Sequence, residues 1–293
     1  MPRPAATRST PRSWTTSGTR SSGGARGDAS LGALEAVVLF AAGAAAGAIN
    51  AIAGGGTLVS FPALLWLGRD PILANATNTL ALCPGALAAM AAFRNDLAAV
   101  RRWMLLIVPP SLLGGLLGAL LLLRTPERVF AALVPWLILF ATALFATQGP
   151  IAAAMRRLHP ARAPHRAHGA PPTTAWPGFL AFAFPVATYG GYFGAGIGIM
   201  LLAALGLAGF TDIHQMVGLR NFAGLCINGV AAAYFVARGA VVWPDALVMI
   251  VGQVVGGYGG ARVARRLGRT FMRRAVVVIG VAMALSLLLG RWR

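Results

Sequence analysis

Lysine is missing altogether: the 25 basic residues among 293 are all arginine, set against only 7 acids. Charged residues make up 11% of the chain and hydrophobic residues 57%, with a mean hydropathy of +0.71. A soluble domain carries about a quarter charged residues. The deficit excludes an ordinary soluble fold and places the chain in a bilayer. In a soluble protein a net charge of +18 would point to nucleic acid. Here the arginines lie mostly in the N-terminal tail and between apolar runs. They read there as headgroup anchors and orientation signals, and nucleic acid is not expected as a partner.

Cysteine is almost as scarce. Cys83 and Cys226 are the only two, both in apolar segments, with no metal-ligand spacing and no cluster of histidines or carboxylates beside them. They read as small residues at helix contacts. There is no nucleophile–base pair, metal set or paired carboxylates, so no catalytic residue, metal or cofactor is expected, and an intramembrane enzyme is disfavoured. Acids are rare inside the apolar runs. Glu35 sits near the start of one, whereas Asp70, Asp96, Glu127, Asp212 and Asp245 fall at run ends. The carboxylate–histidine relays of proton-coupled carriers are therefore absent from the pattern.

What is present is apolar sequence in long runs, at roughly 33–53, 57–67, 75–93, 103–123, 129–149, 176–206, 215–237, 244–261 and 275–290. A spanning helix needs about 20 residues. Most runs qualify, but 57–67 is about half a crossing, and 176–206 is too long for one and is broken by Pro185 and by glycines from 190 to 198. The pattern predicts an all-α polytopic membrane protein of two repeated halves. Each half has about four transmembrane helices, the first of them interrupted at a Gly-rich break. The halves span 31–149 and 176–293. A polar linker over 150–175 joins them, and an Arg/Ser-rich tail over 1–30 precedes them and is expected to be disordered. The apolar stretch from Leu31 to Ala53 is long for a signal-peptide core and reads as a retained helix.

The halves echo one another. Gly56 recurs as Gly198, Gly114-Gly115 as Gly256-Gly257 and Gly118-Ala119 as Gly260-Ala261, each 142 positions on. Asn78 recurs as Asn221 and Cys83 as Cys226, 143 positions on. A duplicated membrane protein commonly builds its transport path between the halves. Four crossings per half would make the repeats parallel, and a fifth would make them inverted. Arginines counted over the short loops are nearly even on the two sides and lean only slightly towards termini in the cytoplasm. Trp66, Trp103, Trp176 and Trp243 stand at run edges, as an interfacial belt requires. The pairs Gly43/Gly47, Gly114/Gly118, Gly252/Gly256 and Gly256/Gly260 have the spacing that lets helices approach closely in lipid.

Two constellations could carry chemistry. The first is Asn50 with Gly54, Gly55, Gly56 and Thr57. Three consecutive glycines disfavour continuous helix, and a half-helix starting near Thr57 would offer unpaired backbone N–H groups and the positive end of its dipole to an anion. The second half offers Gly194, Gly196 and Gly198 in the same way. The other reading of both clusters is close packing of unbroken helices. The second constellation is Thr77-Asn78 and Arg220-Asn221. A charged residue inside an apolar run marks a substrate path or an ion pair by default, and the planar donor fork of Arg220 suits sulfonate, sulfite or carboxylate oxygens. Snorkelling of Arg220 to the interface is the competing reading. Asn78 and Asn221 serve equally as substrate ligands or as plain interhelical hydrogen bonds. Asn228, two turns beyond Arg220, is a further polar candidate.

The segment Gly47-Ala-Ile-Asn50-Ala-Ile-Ala-Gly54-Gly-Gly56-Thr-Leu-Val-Ser-Phe-Pro62, followed by Ala76-Thr77-Asn78, resembles the first half of the TauE/SafE family of sulfite-exporter-like permeases. Gly194-Ala-Gly-Ile-Gly-Ile-Met200, Asp212-Ile-His-Gln and Leu219-Arg-Asn221 resemble its second half. The resemblance covers about 33–290. It implies a multi-pass inner-membrane protein of two related four-helix halves that transports small sulfur-containing or organic anions such as sulfite or sulfoacetate. The second half departs from it in lacking a counterpart of Pro62, with Ala203 or Ala204 in that place.

The expectation is thus a permease that moves a small anion by alternating access. Asn50, Gly54, Gly55, Gly56, Thr57, Thr77, Asn78, Gly194, Gly196, Gly198, Arg220 and Asn221 would form the substrate site, with the anion and membrane lipid as partners. The alternative is a membrane scaffold or accessory subunit that transports nothing. Oligomeric state is not read from the sequence.

Overall fold

A computed structural model of the chain describes residues 31–52, 54–92, 100–158, 176–210, 212–260 and 269–290. The tail over 1–30 and the linker residues 159–175 lie outside the described residues. The described residues fold into helices: α1 (Ala33–Ile52), α2 (Thr57–Trp66), α3 (Pro71–Ala92), α4 (Arg101–Arg124), α5 (Glu127–Leu158), α6 (Trp176–Tyr192), α7 (Ile197–Leu207), α8 (Ile213–Ala237), α9 (Trp243–Val255) and α10 (Arg269–Leu288). A π-helical turn, Gly256–Gly260, prolongs α9. Helix α5 runs on through Gly149 and Pro150 to Leu158. Stretches of α1, α4, α5 and α8 are each long and apolar enough to cross a bilayer. The exposed leucines, valines and aromatics that face outward along these helices suit lipid.

Helices α1 and α2 are separated at Gly54 and Gly55, whose φ angles of +70° and +107° only glycine adopts without strain. The chain does more than kink there. Gly56 comes back beside Ala46 and Asn50, and Arg69, just past α2, forms an ion pair with Glu35 near the start of α1 at 3.0 Å. Helix α2 therefore runs back along α1, and the pair is a hairpin that enters and leaves by the same face. Helices α6 and α7 do likewise around Gly194 and Gly196, with φ of +81° and +85°. Phe179 near the start of α6 and Phe210 just past α7 both pack edge-on against the Trp103 ring. The second hairpin opens on the face where α4 begins, opposite the face of the first.

The two hairpins are each gripped by a helix from the other half of the chain. Helix α1 packs most extensively on α9, where Gly43, Gly47, Gly252 and Gly256 bring the backbones together so closely that any Cβ would strike the facing chain. Helix α6 packs on α4 through Gly114, Gly118 and Gly191 in the same manner. The four-residue glycine spacing thus acts as close packing between helices, as small residues do in lipid. Helices α3 and α8 pack on each other, as do α5 and α10.

The tryptophan belt is only partly as expected. Trp66 and Trp243 are exposed, but Trp103 is fully buried among Phe179 and Phe210. Its place at a run edge reflects the mouth of the second hairpin, which an aromatic cluster fills. The Trp176 side chain lies outside the described residues.

Candidate functional site

The tips of the two hairpins meet at Arg220, on the second turn of α8. Its guanidinium lies against both: a Cβ added at Gly54 would stand 3.4 Å from Nη1, and one added at Gly198 would stand 3.3 Å from Cδ. Arg220 is 5% exposed, so it does not snorkel to the surface. Its Nε and Nη2 donate to Asn221 Oδ1 at 3.2 and 2.8 Å. Among the described residues no carboxylate stands within 4.0 Å of it. A buried guanidinium that finds no carboxylate among the described residues, set between two glycine turns, is a positive site open to an anion.

The other expected residues divide by what they already bind. Asn50 Oδ1 accepts the Gly56 N–H at 2.8 Å, which closes the first tip. The N–H groups of Leu58 and Val59 are taken by the Gly55 and Gly56 carbonyls at 3.0 and 2.9 Å, so the first turn of α2 leaves fewer bare donors than an uncapped helix would. Thr57 is buried within that turn. A side chain at Gly55 would meet the Phe145 ring at 2.7 Å, on α5, rather than the space beside Arg220. Gly196 faces Leu144 and Ala141 of the same helix. Each tip therefore turns one glycine to Arg220 and another to α5. Gly194 lies beside Asn228, whose Oδ1 would stand 3.8 Å from an added Cβ.

Thr77 stands apart from the tips. Its Oγ1 accepts the Val242 N–H at 3.0 Å and ties α3 to the start of α9. Asn78 reaches the first hairpin: the Ser60 hydroxyl donates to its Oδ1 at 2.5 Å and lies 3.1 Å from the Gly56 carbonyl oxygen. Its Nδ2 is buried without a hydrogen-bond partner. The structure thus brings Gly54, Gly198, Arg220 and Asn221 into one cluster, links Asn78 to it through Ser60 and Gly56, and gives Asn50 and Thr77 structural bonds.

Several residues here were not singled out in the sequence. Ser60 falls within the glycine-led segment and Asn75 one turn before Asn78, so both carried a signal: polar groups in an apolar run at helical spacing. Phe145 and Leu144 carried none, because a contact with a distant glycine leaves no mark in an apolar run.

The family model described as "Sulfite exporter TauE/SafE" matches residues 39–287. A probable membrane transporter protein of Haemophilus influenzae is 32% identical over 247 residues, covering 84% of this chain and 91% of that protein. The probable membrane transporter protein YfcA of Escherichia coli K12 is 29% identical over 252 residues, covering 86% and 88%. The probable membrane transporter protein ORF9 of a Sinorhizobium species is 29% identical over 251 residues, covering 85% and 91%. No solved structure matches the chain.

Proposed function

This chain belongs to the sulfite exporter TauE/SafE family, and we propose that it is a multi-pass permease of the cell inner membrane that carries a small anion by alternating access between two related halves. Sulfite, sulfoacetate or another organosulfur or organic anion is the substrate class. The observation that carries this reading is Arg220, buried between the two hairpin tips with no carboxylate partner among the described residues. A charge at membrane depth costs about 3 kcal/mol or more unless something compensates it, and an anion seated at the tips supplies that compensation. Gly54 and Gly198 let it approach the guanidinium, because neither carries a side chain to occupy the space. Asn221 fixes the guanidinium plane, and Asn78 offers a further donor.

The work of moving a single negative charge outward from a negative interior is favourable by about 2.3 kcal/mol per 100 mV. Membrane potential alone therefore suffices to drive export, without a proton relay.

The test is flux in proteoliposomes for sulfite, sulfate, sulfoacetate and simple carboxylates, with membrane potential and pH gradient imposed separately. The expected result is transport of at least one of these by the unaltered protein and its loss in Arg220→Ala, with membrane insertion and thermal stability retained. Full flux in Arg220→Ala removes the arginine from the site. An unaltered protein that moves none of these anions is a scaffold rather than a permease.

A further inference from the structure

Helix α3 places two carboxamides one turn apart, Asn75 and Asn78, each 1% exposed. Residues three apart lie on one helix face, yet these two reach different hairpins. Asn78 meets Ser60, whose hydroxyl lies beside the Gly56 carbonyl at the first tip. Asn75 Nδ2 donates to the Tyr192 carbonyl oxygen at 3.0 Å. Tyr192 is the last residue of α6, two positions before Gly194. The last carbonyls of a helix have no partner inside it, so this bond holds the second tip where the helix itself cannot. The two hairpins also touch directly, with Phe61 of α2 edge-on to Phe193 of the second tip at 5.4 Å between ring centres. Each amide leaves one buried atom unpartnered, Asn75 Oδ1 and Asn78 Nδ2.

We infer that Asn75 is a positioning residue of the anion site: by holding the Tyr192 carbonyl it sets the distance between the two hairpin tips, and with it the span between Gly54 and Gly198 that Arg220 bridges. The inference rests on the anion-site reading above. The Asn75 amide donates to the Tyr192 backbone while Arg220 donates to Asn221, so Asn75 works through the backbone of the opposite hairpin. The sequence of the second half does not repeat this amide. The positions 142 and 143 further on are Val217 and Gly218, which have no amide to reach the first tip. One helix of the first half therefore holds both tips, while the second half contributes the charge.

Two measurements test this, both in a background with Cys83→Ala and Cys226→Ala. The first is the rate at which a short bis-methanethiosulfonate reagent cross-links Phe61→Cys to Phe193→Cys in membranes, with and without Asn75→Ala. The second is the KM and Vmax of Asn75→Ala for sulfite and sulfoacetate in proteoliposomes. Asn75→Leu, branched at the same carbon but unable to donate, replaces Ala if that variant fails to insert.

The expected result is slower cross-linking, by several-fold, and a KM raised about tenfold with Vmax within about twofold, the size expected for losing one buried hydrogen bond at a site. A packing role alone would lower Vmax through lost folded protein and leave KM in place, and that pattern overturns the inference. Unchanged cross-linking overturns it as well, whatever the flux. If the unaltered protein moves no anion, the anion reading fails, and the cross-linking rate alone decides whether Asn75 holds the tips.

Discussion

Asp245 keeps a carboxylate out of solvent by sharing it with Arg69. Its side chain is 1% exposed, and Arg69 Nε donates to Oδ2 at 2.6 Å while Nη2 donates to Oδ1 at 3.2 Å. The hydrogen bond to Asp245 is also the chief cause that raises the Arg69 guanidinium above its ordinary pKa. Glu35, with a side chain 39% exposed, adds little to the pair energetically. Breaking a buried pair by removing one partner leaves an uncompensated charge and costs about 3–5 kcal/mol, whereas removing both charges costs far less. Arg69→Ala is therefore expected to lower the thermal midpoint of the purified protein markedly, and adding Asp245→Asn is expected to recover most of the loss. A double variant no more stable than Arg69→Ala would mean that the pair holds nothing together. Little of this was legible beforehand. Glu35, Arg69 and Asp245 all stand at run ends, where a solvated loop is the ordinary reading, and the partnership crosses 176 positions of chain.

At the scale of elements, the glycine runs told where helices stop but not which way the chain leaves. Gly54 to Gly56 and the short run after them mark an interruption. A half-helix that continues across and one that turns back have the same length and the same hydrophobic period. Only the distant contacts, Gly56 on Ala46 and Arg69 on Glu35, distinguish them. The paired small residues were more readable, since backbone contact between helices needs glycine at that spacing whatever the partner. Gly47 shows the consequence. Its added Cβ would strike the backbone of Gln253 and Gly257 on the facing helix, so Gly47→Leu is expected to separate α1 from α9 and to abolish the folded, monodisperse protein on size-exclusion chromatography. Gly178→Leu, where an added Cβ meets nothing within 4 Å, is the matched control and is expected to elute unchanged.

For the whole molecule, the two hairpins reverse the arithmetic of sides. Counting each interrupted helix as a crossing puts the loops after it on the wrong face, which is why arginines summed from sequence came out nearly even. With both hairpins returning to the face they entered, the described residues on the first hairpin's face include Arg69, Arg124, Arg128 and Arg238 against Glu35, Asp70, Glu127 and Asp245. Among the described residues, the helix ends and turns on the second hairpin's face hold Arg101, Arg102, Arg156, Arg157, Arg269, Arg273 and Arg274 against Asp212. Short positive segments stay in the cytoplasm, so the second hairpin is expected to open inward. In a cysteine-free background, an impermeant maleimide added to spheroplasts should label Arg128→Cys at once and Arg101→Cys only after permeabilisation. The reverse pattern would turn the molecule over.

The grip of α9 on α1 also dictates an order of assembly. The ribosome must deliver the chain past Trp243 before the first helix finds its mate, so α1 waits in the membrane through most of translation with its glycine seam unfilled. A messenger truncated after the first five helices would leave that seam open, and α4, whose own mate is α6, would be orphaned with it.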